Sequence, residues 1–173
     1  MTNEIAKNFD IETGEILLNE RVVNETEEYK IVQLEDGTFK KNMKYKNIFT
    51  RQAETEEEKI ELFKVFNDND SNLVTPLSNL VGKQISIAHF FTQPYQAFDE
   101  KTGVVNEGVT TTIQDTEGAY YVTSSKSVYY SVLNIMQSFG FPNSENYKPV
   151  LVEVTGTKRQ NGIQIDLKLI GYK

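Results

Sequence analysis

The stretch from residue 118 to residue 154, GAYYVTSSKSVYYSVLNIMQSFGFPNSENYKPVLVEV, decides the fold. It begins with AYYVT, a run of β-branched and aromatic residues that is typical of a strand. Ser124 or Ser125 is then placed to cap a helix, and Gly140 followed by Pro142 ends it. The apolar residues of that helix recur at helical spacing, namely Val128, Val132, Ile135 and Phe139. The alternating valines of KPVLVEVTG predict a further strand, so the stretch predicts strand, helix, strand.

Two alternating segments precede this stretch and one follows it. GKQISIAHFF (82–91) and VVNEGVTTTIQ (104–114) predict strands on either side of a loop, TQPYQAFDEKTG (92–103), and IQIDLKLIG (163–171) predicts the last strand. The order β-β-β-α-β-β is that of the OB barrel, whose helix lies between its third and fourth strands. We therefore expect a mainly β protein with helices, an OB-fold five-stranded β-barrel with an N-terminal helix and a β-hairpin extension.

The N-terminal part of the chain carries its own signals. EYKIVQLEDGTFKKN (28–42) places an Asp-Gly pair between two alternating segments, which predicts a hairpin. Thr55, followed by three glutamates, predicts the start of a helix. Its apolar stripe is expected to consist of Ile60, Phe63 and Phe66, with Leu62. We divide the chain into an acidic N-terminal extension with a basic hairpin, residues 1–53, and an OB-fold domain, residues 54–173.

The net charge of −7 is distributed unevenly. Residues 1–70 contain 10 basic and 17 acidic residues (10 − 17 = −7), whereas residues 71–173 contain 8 of each. Such asymmetry indicates an appendage with a role of its own. No apolar run approaches the length of a membrane span, and the first 20 residues lack the layout of a signal peptide. We expect a soluble cytoplasmic protein with no membrane partner.

Few residues offer catalytic or metal-binding chemistry. The chain has no cysteine and one histidine, His89, which excludes a zinc site of ordinary composition. The segment 68–79 begins like a calcium loop, but Leu73 stands where glycine is needed and Asn79 where a bidentate glutamate is needed. No phosphate-binding loop, dinucleotide fingerprint or nucleophile elbow occurs. We therefore predict that the protein is not an enzyme and that it uses no metal or cofactor.

Aromatic and basic residues fall on the elements with which an OB barrel contacts oligonucleotides, its strands two and three and the flanking loops. Rings stack on unpaired bases with little sequence preference, and lysine and arginine neutralise phosphates. The predicted contacts are Tyr121 on strand three, Thr110 and Thr112 on strand two, Tyr95, Phe98 and Lys101 in the first loop, Lys126 at the helix start, Lys158 and Arg159 in the second loop, and Lys44, Tyr45 and Lys46 in the segment FKKNMKYKNIFTR (39–51).

Each predicted contact has a structural alternative. Alternation places Tyr120 on the same face as Val122, so we assign Tyr120 to the core and Tyr121 to the surface. In the helix, Tyr129 is assigned to the core and Tyr130 to the exposed face. The loop aromatics can equally pack their loop down, the second loop can be a solvated turn, and the basic segment can be an ordinary hairpin.

Residues from about 54 to 170 resemble the small single-stranded DNA-binding proteins of phages and mobile elements of Gram-positive bacteria. The resemblance lies in EEEKIELFKVFN (56–67), LVGKQISI (80–87), DTEGAYYVTSSKSVYYSVLNIMQSFGFP (115–142) and VEVTGTKRQNGIQIDLKLIG (152–171). It implies an OB fold, sequence-tolerant binding of single-stranded DNA and a role in replication or recombination. Residues 1–53 have no counterpart in it, and their acidity argues against a simple binding module.

Two functions are consistent with these observations. The first is an OB-fold protein that coats single-stranded DNA, in the host cytoplasm if the protein is viral, with replication or recombination proteins and further copies of itself as candidate partners. The alternative is a protein–protein interaction module, an acidic DNA mimic or inhibitor of a host DNA-processing protein. Its main support is the acidity of residues 1–70.

Overall fold

The structure, a computed structural model, describes residues 21–67, 72–99, 104–160 and 162–172. The chain is divided into two compact units, of which the first takes residues up to 45 together with 96–107 and the second takes the remainder. Within the described residues, strands predominate and are accompanied by two α-helices and one short 3-10 helix. The expectation of a mainly β protein with helices is confirmed.

The first unit contains a three-stranded antiparallel sheet in the order β1-β2-β3. Its strands are β1 (Arg21–Glu25), β2 (Tyr29–Gln33) and β3 (Phe39–Met43). The predicted hairpin joins β2 to β3 through Asp36 and Gly37. Gly37 has a φ of 82°, which residues with a Cβ rarely adopt, and Asp36 Oδ1 accepts a 2.9 Å hydrogen bond from the Thr38 amide. The local sequence therefore specifies this turn.

The second unit is built on a seven-stranded sheet in the order β10-β9-β6-β7-β8-β5, with β4 also paired to β6. The strands are β4 (Ile48–Phe49), β5 (Val74–Pro76), β6 (Gln84–Asp99), β7 (Val104–Asp115), β8 (Tyr120–Thr123), β9 (Val150–Arg159) and β10 (Gly162–Tyr172). The distal ends of β6 and β7, residues 96–99 and 104–107, are grouped with the first unit. The helices are α1 (Glu56–Asn67), α2 (Lys126–Phe139) and the 3-10 turn Leu77–Leu80.

Helix α2 and one face of the sheet form the main core. The predicted apolar positions Val128, Val132 and Ile135 are buried in it, and Phe139 packs at its edge. The sheet contributes the alternating residues of its strands: Ile85, Ile87, Ile113, Val150, Val152, Val154 and Ile165. Burial of one such side chain contributes about 1.5–3 kcal/mol, so this contact fixes the position of α2.

Helix α1 packs through a different face from the one that its sequence predicts. Its buried residues are Leu62 and Val65, which join Phe91 and Tyr120 in a second apolar cluster with Phe66 at its margin. Ile60 and Phe63, which were expected in the buried stripe, are 58% and 67% exposed. The helix is apolar on two sides, so periodicity alone could not identify the side that meets the sheet.

Strand β6 extends through the first half of the predicted loop 92–103. It runs to Asp99 without a break at Pro94, and β7, its neighbour in the sheet, begins at Val104. Proline cannot donate a backbone hydrogen bond to a neighbouring strand, but it is tolerated in a strand where its nitrogen needs no acceptor. Tyr95 and Phe98 are therefore strand residues, and their assignment to a loop is wrong.

Candidate nucleic-acid interface

A groove opens where α2 begins, between this helix and strand β10. Hydroxyl-bearing side chains dominate its wall, and none of the described residues that line it carries a carboxylate. The lining residues are Ser78, Thr123, Ser124, Ser125, Lys126, Ser127, Ile163, Gln164 and Ile165. The first turn of α2 contains no acidic residue, so the positive end of the helix dipole is not neutralised there. We call this surface the serine groove.

Hydrogen bonds between helix and hairpin hold the serine groove in shape. Ser125 occupies the N-cap position, but its hydroxyl donates to the carbonyl oxygen of Ile165 at 2.6 Å and makes no capping bond. Gln164 Nε2 donates to Ser127 Oγ at 2.7 Å, and Arg159 Nε donates to Gln164 Oε1 at 3.1 Å. The guanidinium of Arg159 is therefore tied to the wall of the groove through Gln164.

The two other predicted cations of this region, Lys158 and Arg159, lie on the β9–β10 hairpin beside lining residues of the groove. Lys158 is the register partner of Ile163, a lining residue, and both are exposed. A Cβ on Gly156 would lie 3.0 Å from Ile163 Cγ2 and 3.2 Å from Val81 Cγ1, so both side chains pack over that glycine. Lys158 and Arg159, which are adjacent in the hairpin, thus neighbour the groove whose wall contains Lys126, a residue more than 30 positions earlier in the sequence.

Tyr95 forms a separate platform on β6. A Cβ built on Gly108 would lie 2.3 Å from Tyr95 Cζ, so the tyrosine ring lies directly on the β7 backbone at this glycine. The ring is still 44% exposed. An aromatic ring that is held on one side and open on the other is suited to stack on a flat base.

Both tyrosines of β8 pack against other parts of the protein, although their rings lie on opposite faces of the strand. Tyr120 is 4% exposed and packs against α1, whereas Tyr121 is half-buried against the main core on the opposite face. The Tyr121 hydroxyl donates to Asp115 Oδ2 at 2.9 Å. Burial, together with this hydrogen bond, raises the pKa of Tyr121 to about 12. The expectation of an outward Tyr121 is wrong, and a DNA contact through its remaining exposed edge stays a prediction.

The threonines of β7 are less accessible than predicted. Thr110 is half-buried, and Thr112 is only 2% exposed, so the prediction that Thr112 faces outward is wrong. Gln114 lies on the same face, where it accepts a hydrogen bond from Arg51 Nη1 at 3.1 Å and donates to Tyr120 Oη at 3.0 Å. These contacts and α1 cover that face. We exclude Thr112 from the interface.

The first unit carries basic and aromatic groups of its own. Lys44 pairs with Glu25 at 2.6 Å, and this lysine holds the pKa of Glu25 below its ordinary value. Lys41 Nζ lies 3.9 Å from the centre of the Tyr29 ring. Phe98 is 40% exposed, and Tyr45 is half-buried.

Two further predicted contacts complete the account. Lys46, in the second unit, has an exposed side chain, and its amide donates to Tyr129 Oη at 3.0 Å. Tyr129 is buried and Tyr130 exposed, as predicted. Lys101 lies outside the described residues.

Sequence reasoning missed the hydroxyl groups and the glycine that shape this interface. Ser124 and Ser125 were predicted only as candidate helix caps and Ser127 was assigned no role, although all three serines line the groove. Gly108 gave one usable signal, a glycine inside a strand pattern, which often marks a close approach by another group.

Neither helix in the described residues combines the length and apolar character needed to cross a membrane. The described residues also contain no cluster of three metal-binding side chains.

Two comparisons with known proteins give significant matches. Residues 41–168 match the family described as phage single-stranded DNA-binding protein, of the Phi29 type. A single-stranded DNA-binding protein of Bacillus phage GA-1 is 34% identical over 153 residues, which cover 87% of this chain and 89% of that protein. These matches extend into residues 1–53, where no resemblance was found from the sequence. No solved structure matches significantly. The chain belongs to the Phi29-type family of phage single-stranded DNA-binding proteins.

Proposed function

We propose that this protein binds single-stranded DNA with little sequence preference and coats exposed strands during phage-type replication or recombination. The observation that carries the proposal is the serine groove, a hydroxyl-lined surface with Lys126 in its wall and no lining carboxylate, in a chain of this family. Lysine, serine hydroxyls and the start of a helix are all suited to phosphate oxygens. None of these groups reads a base, which is consistent with sequence tolerance.

Tyr95 supplies the base-stacking part of the proposed interface. Its ring is held on Gly108 and remains exposed, so little side-chain entropy is lost when a base stacks on it. Further phosphate contacts come from Lys158 and Arg159 at the β9–β10 hairpin. Additional candidate DNA contacts are Lys46, Thr110 and Tyr121. In the first unit, Lys44, Tyr45 and Phe98, together with Lys101, remain a proposed second contact surface.

We further propose that the second unit is an OB fold. If β6 is taken as strand one, the observed order β10-β9-β6-β7-β8 becomes 5-4-1-2-3, and α2 joins strand three to strand four. This is the succession that an OB barrel uses, and the barrel is left partly open between β8 and β10. The division into an extension at residues 1–53 and an OB-fold domain at residues 54–173 is part of this proposal.

Under this proposal the protein acts in the host cytoplasm by binding single-stranded DNA, without catalysing a reaction and without a cofactor. Proteins of replication or recombination are its candidate partners. The alternative, a protein–protein module that imitates DNA, is not favoured, because the family match covers most of the chain.

Tyrosine fluorescence provides a direct test, because the chain contains nine tyrosines and no tryptophan. The protein is titrated with oligo-dT and with a duplex of the same length, at a low and a high salt concentration. We expect quenching by the single strand at much lower concentrations than by the duplex, with affinity that falls as salt increases. Equal binding of the two oligonucleotides, or no binding, contradicts the proposal.

A further inference from the structure

The three-stranded sheet of the first unit has two chemically different faces. Successive side chains of a strand point to opposite faces, and register partners share a face. Val32 and Asn42 are buried on one face. On that face Lys40 Nζ donates to the Val105 carbonyl oxygen at 2.6 Å and to Asn106 Oδ1 at 3.0 Å. We call this side, which packs on the first residues of β7, the inner face.

The opposite side, which we call the outer face, combines aromatic, basic, amide and apolar side chains. Its register forms two complete rows across the three strands, namely Arg21, Gln33 and Phe39 in one and Asn24, Ile31 and Lys41 in the next. A bulge in β1 places Arg21 and Asn24 on the same side, although they are three residues apart. Tyr29 and Met43 form a third row in β2 and β3. None of these described residues carries a carboxylate.

The acidic residues of the described part of this sheet lie away from the outer face. Glu25 is the register partner of Lys30 on the inner face, and it pairs with Lys44 at 2.6 Å. Lys30 in turn lies 3.5 Å from Glu107. The other acids between residues 21 and 45 are in the two turns, namely Glu27, Glu28, Glu35 and Asp36. The fold therefore produces a basic surface within residues 1–70, whose net charge is −7.

Two groups on the outer face are already positioned for a ligand. Phe39 is 66% exposed. Lys41 Nζ lies 3.9 Å from the centre of the Tyr29 ring, its diagonal neighbour on β2, so the ring restricts where this exposed cation can lie. Phe39 and Lys41 are two residues apart on one strand, about 7 Å on the same face. The outer face thus presents an open ring beside a held cation.

We propose that the outer face is a further binding site for single-stranded DNA, in which Phe39 stacks on a base and Lys41 and Arg21 contact phosphates. Unpaired bases offer their flat faces to an aromatic ring, whereas the bases of a duplex are stacked on one another. This site rests on the proposed function and adds to the surface of the second unit. Strands β1 and β2 and Phe39 precede residue 41, at which the family match begins, so that match does not itself predict this face.

Substitutions on the two faces of the sheet test the site by titration with oligo-dT. Phe39→Ala should weaken binding by on the order of tenfold, and Phe39→Tyr, which keeps a ring, should bind nearly as well as wild type. Lys41→Ala should weaken binding and reduce the salt slope by about 0.7, the contribution of one phosphate. Val22→Ala is the matched control, because Val22 is 51% exposed but is the register partner of Val32 on the inner face.

Single cysteines show where the strand lies, because the natural chain contains none. Asn24→Cys places a thiol on the outer face at an exposed position that is assigned no DNA contact, and Val22→Cys places one on the inner face. The rate of alkylation by iodoacetamide is measured with and without saturating oligo-dT. We expect oligo-dT to slow alkylation of Asn24→Cys several-fold and to leave the rate for Val22→Cys unchanged.

The wild-type titration with single strand and duplex tests the proposed function separately, because it involves no change in this sheet. If the wild type binds oligo-dT, three results still overturn the site. Phe39→Ala and Lys41→Ala bind as tightly as wild type, oligo-dT protects both thiols equally or neither, or polyglutamate of equal charge protects Asn24→Cys as well as oligo-dT does. The last result would identify an acidic protein as the occupant. Protection of Asn24→Cys by higher protein concentration alone would identify a second copy of the chain and would equally refute the site.

Discussion

Gly108 positions the Tyr95 ring, and this pair offers the sharpest residue-level test of the proposed interface. A Cβ at position 108 would overlap the ring, so Gly108→Ala should displace Tyr95 from the strand surface. We expect Tyr95→Ala to weaken binding of oligo-dT by about 1–3 kcal/mol, the contribution of one stacked base. Gly108→Ala should produce much of the same loss, measured by fluorescence titration.

The double variant shows whether the two residues act together. If Gly108 acts through Tyr95, combining both substitutions should cost no more than Tyr95→Ala alone, a clear departure from additivity. Tyr130→Ala is the matched control, since Tyr130 is 41% exposed on α2 and is not among the proposed DNA contacts. Additive losses would show that Gly108 supports binding by another route.

Three tyrosine hydroxyl groups make stability depend on alkaline pH. Burial is the main cause that raises the pKa of Tyr120, Tyr121 and Tyr147 to about 12, compared with about 10 in an unfolded chain. The folded state therefore keeps protons that the unfolded state loses. Their contribution to stability is complete below about pH 10 and is lost as pH rises through 12.

Urea unfolding at several pH values between 8 and 11.5 measures this dependence. A variant with phenylalanine at all three positions should lose stability less steeply with rising pH, although it is less stable at pH 8. Its lower stability reflects the lost hydrogen bonds, including the 3.1 Å bond from Tyr147 to the Ile87 carbonyl. An unchanged pH dependence would show that the tyrosines do not control alkaline unfolding.

The tyrosines also show what a sequence pattern can predict about individual residues. Helical periodicity correctly separated Tyr129 from Tyr130, because α2 has one partner, the sheet. Strand alternation failed for Tyr120 and Tyr121, because it assumes that one face of a strand is solvated. Here α1 covers one face of β8 and the main core lies on the other, so both rings are at least half-buried.

At the level of elements, the sequence predicts best where one signal dominates. The Asp-Gly hairpin, five of the seven strands of the second unit and α2 with its ends were all predictable from local patterns. The extension of β6 beyond Pro94 was not, because it depends on a partner strand and not on local propensity. The serine groove was likewise beyond prediction as a cavity, since it depends on how the β9–β10 hairpin meets α2.

The serine groove gives an element-level prediction about salt. Each phosphate neutralised on a single strand contributes about 0.7 to the slope of log affinity against log salt concentration. Lys126→Ala should therefore weaken binding of oligo-dT and reduce the slope by about that amount, and Lys158→Ala should act similarly. Titrations at four salt concentrations provide the slopes.

Lys148→Ala is the control for these slopes, because Lys148 is exposed in the loop after α2 and outside the groove lining. It should change neither the affinity nor the slope beyond the effect of general charge. A loss of affinity with an unchanged slope for Lys126→Ala would indicate damage to the fold of the groove and not the loss of a phosphate contact.

At the level of the whole molecule, the acidic charge opposes the proposed function. The chain has a net charge of −7, all of it arising in residues 1–70, yet DNA is itself a polyanion. An acidic region repels DNA over about one Debye length, roughly 10 Å at 0.1 M salt, and the repulsion grows as salt is removed. A binding surface without lining carboxylates reduces this conflict locally, but the remaining charge should still lower affinity.

Removing residues 1–20 tests whether the acidic charge lowers the affinity for DNA. They contain five acidic residues and one basic residue (1 − 5 = −4), so the shortened chain has a net charge of −3 (−7 + 4 = −3). We expect it to bind oligo-dT more tightly than the full chain at low salt and equally at high salt, because screening removes the repulsion. A full-length variant with glutamine or asparagine at the same five acidic positions should show the same gain, since charge and not length is the cause. If the shortened chain gains affinity and the neutralised chain does not, the segment hinders DNA sterically, and if neither gains, its charge does not reach the interface.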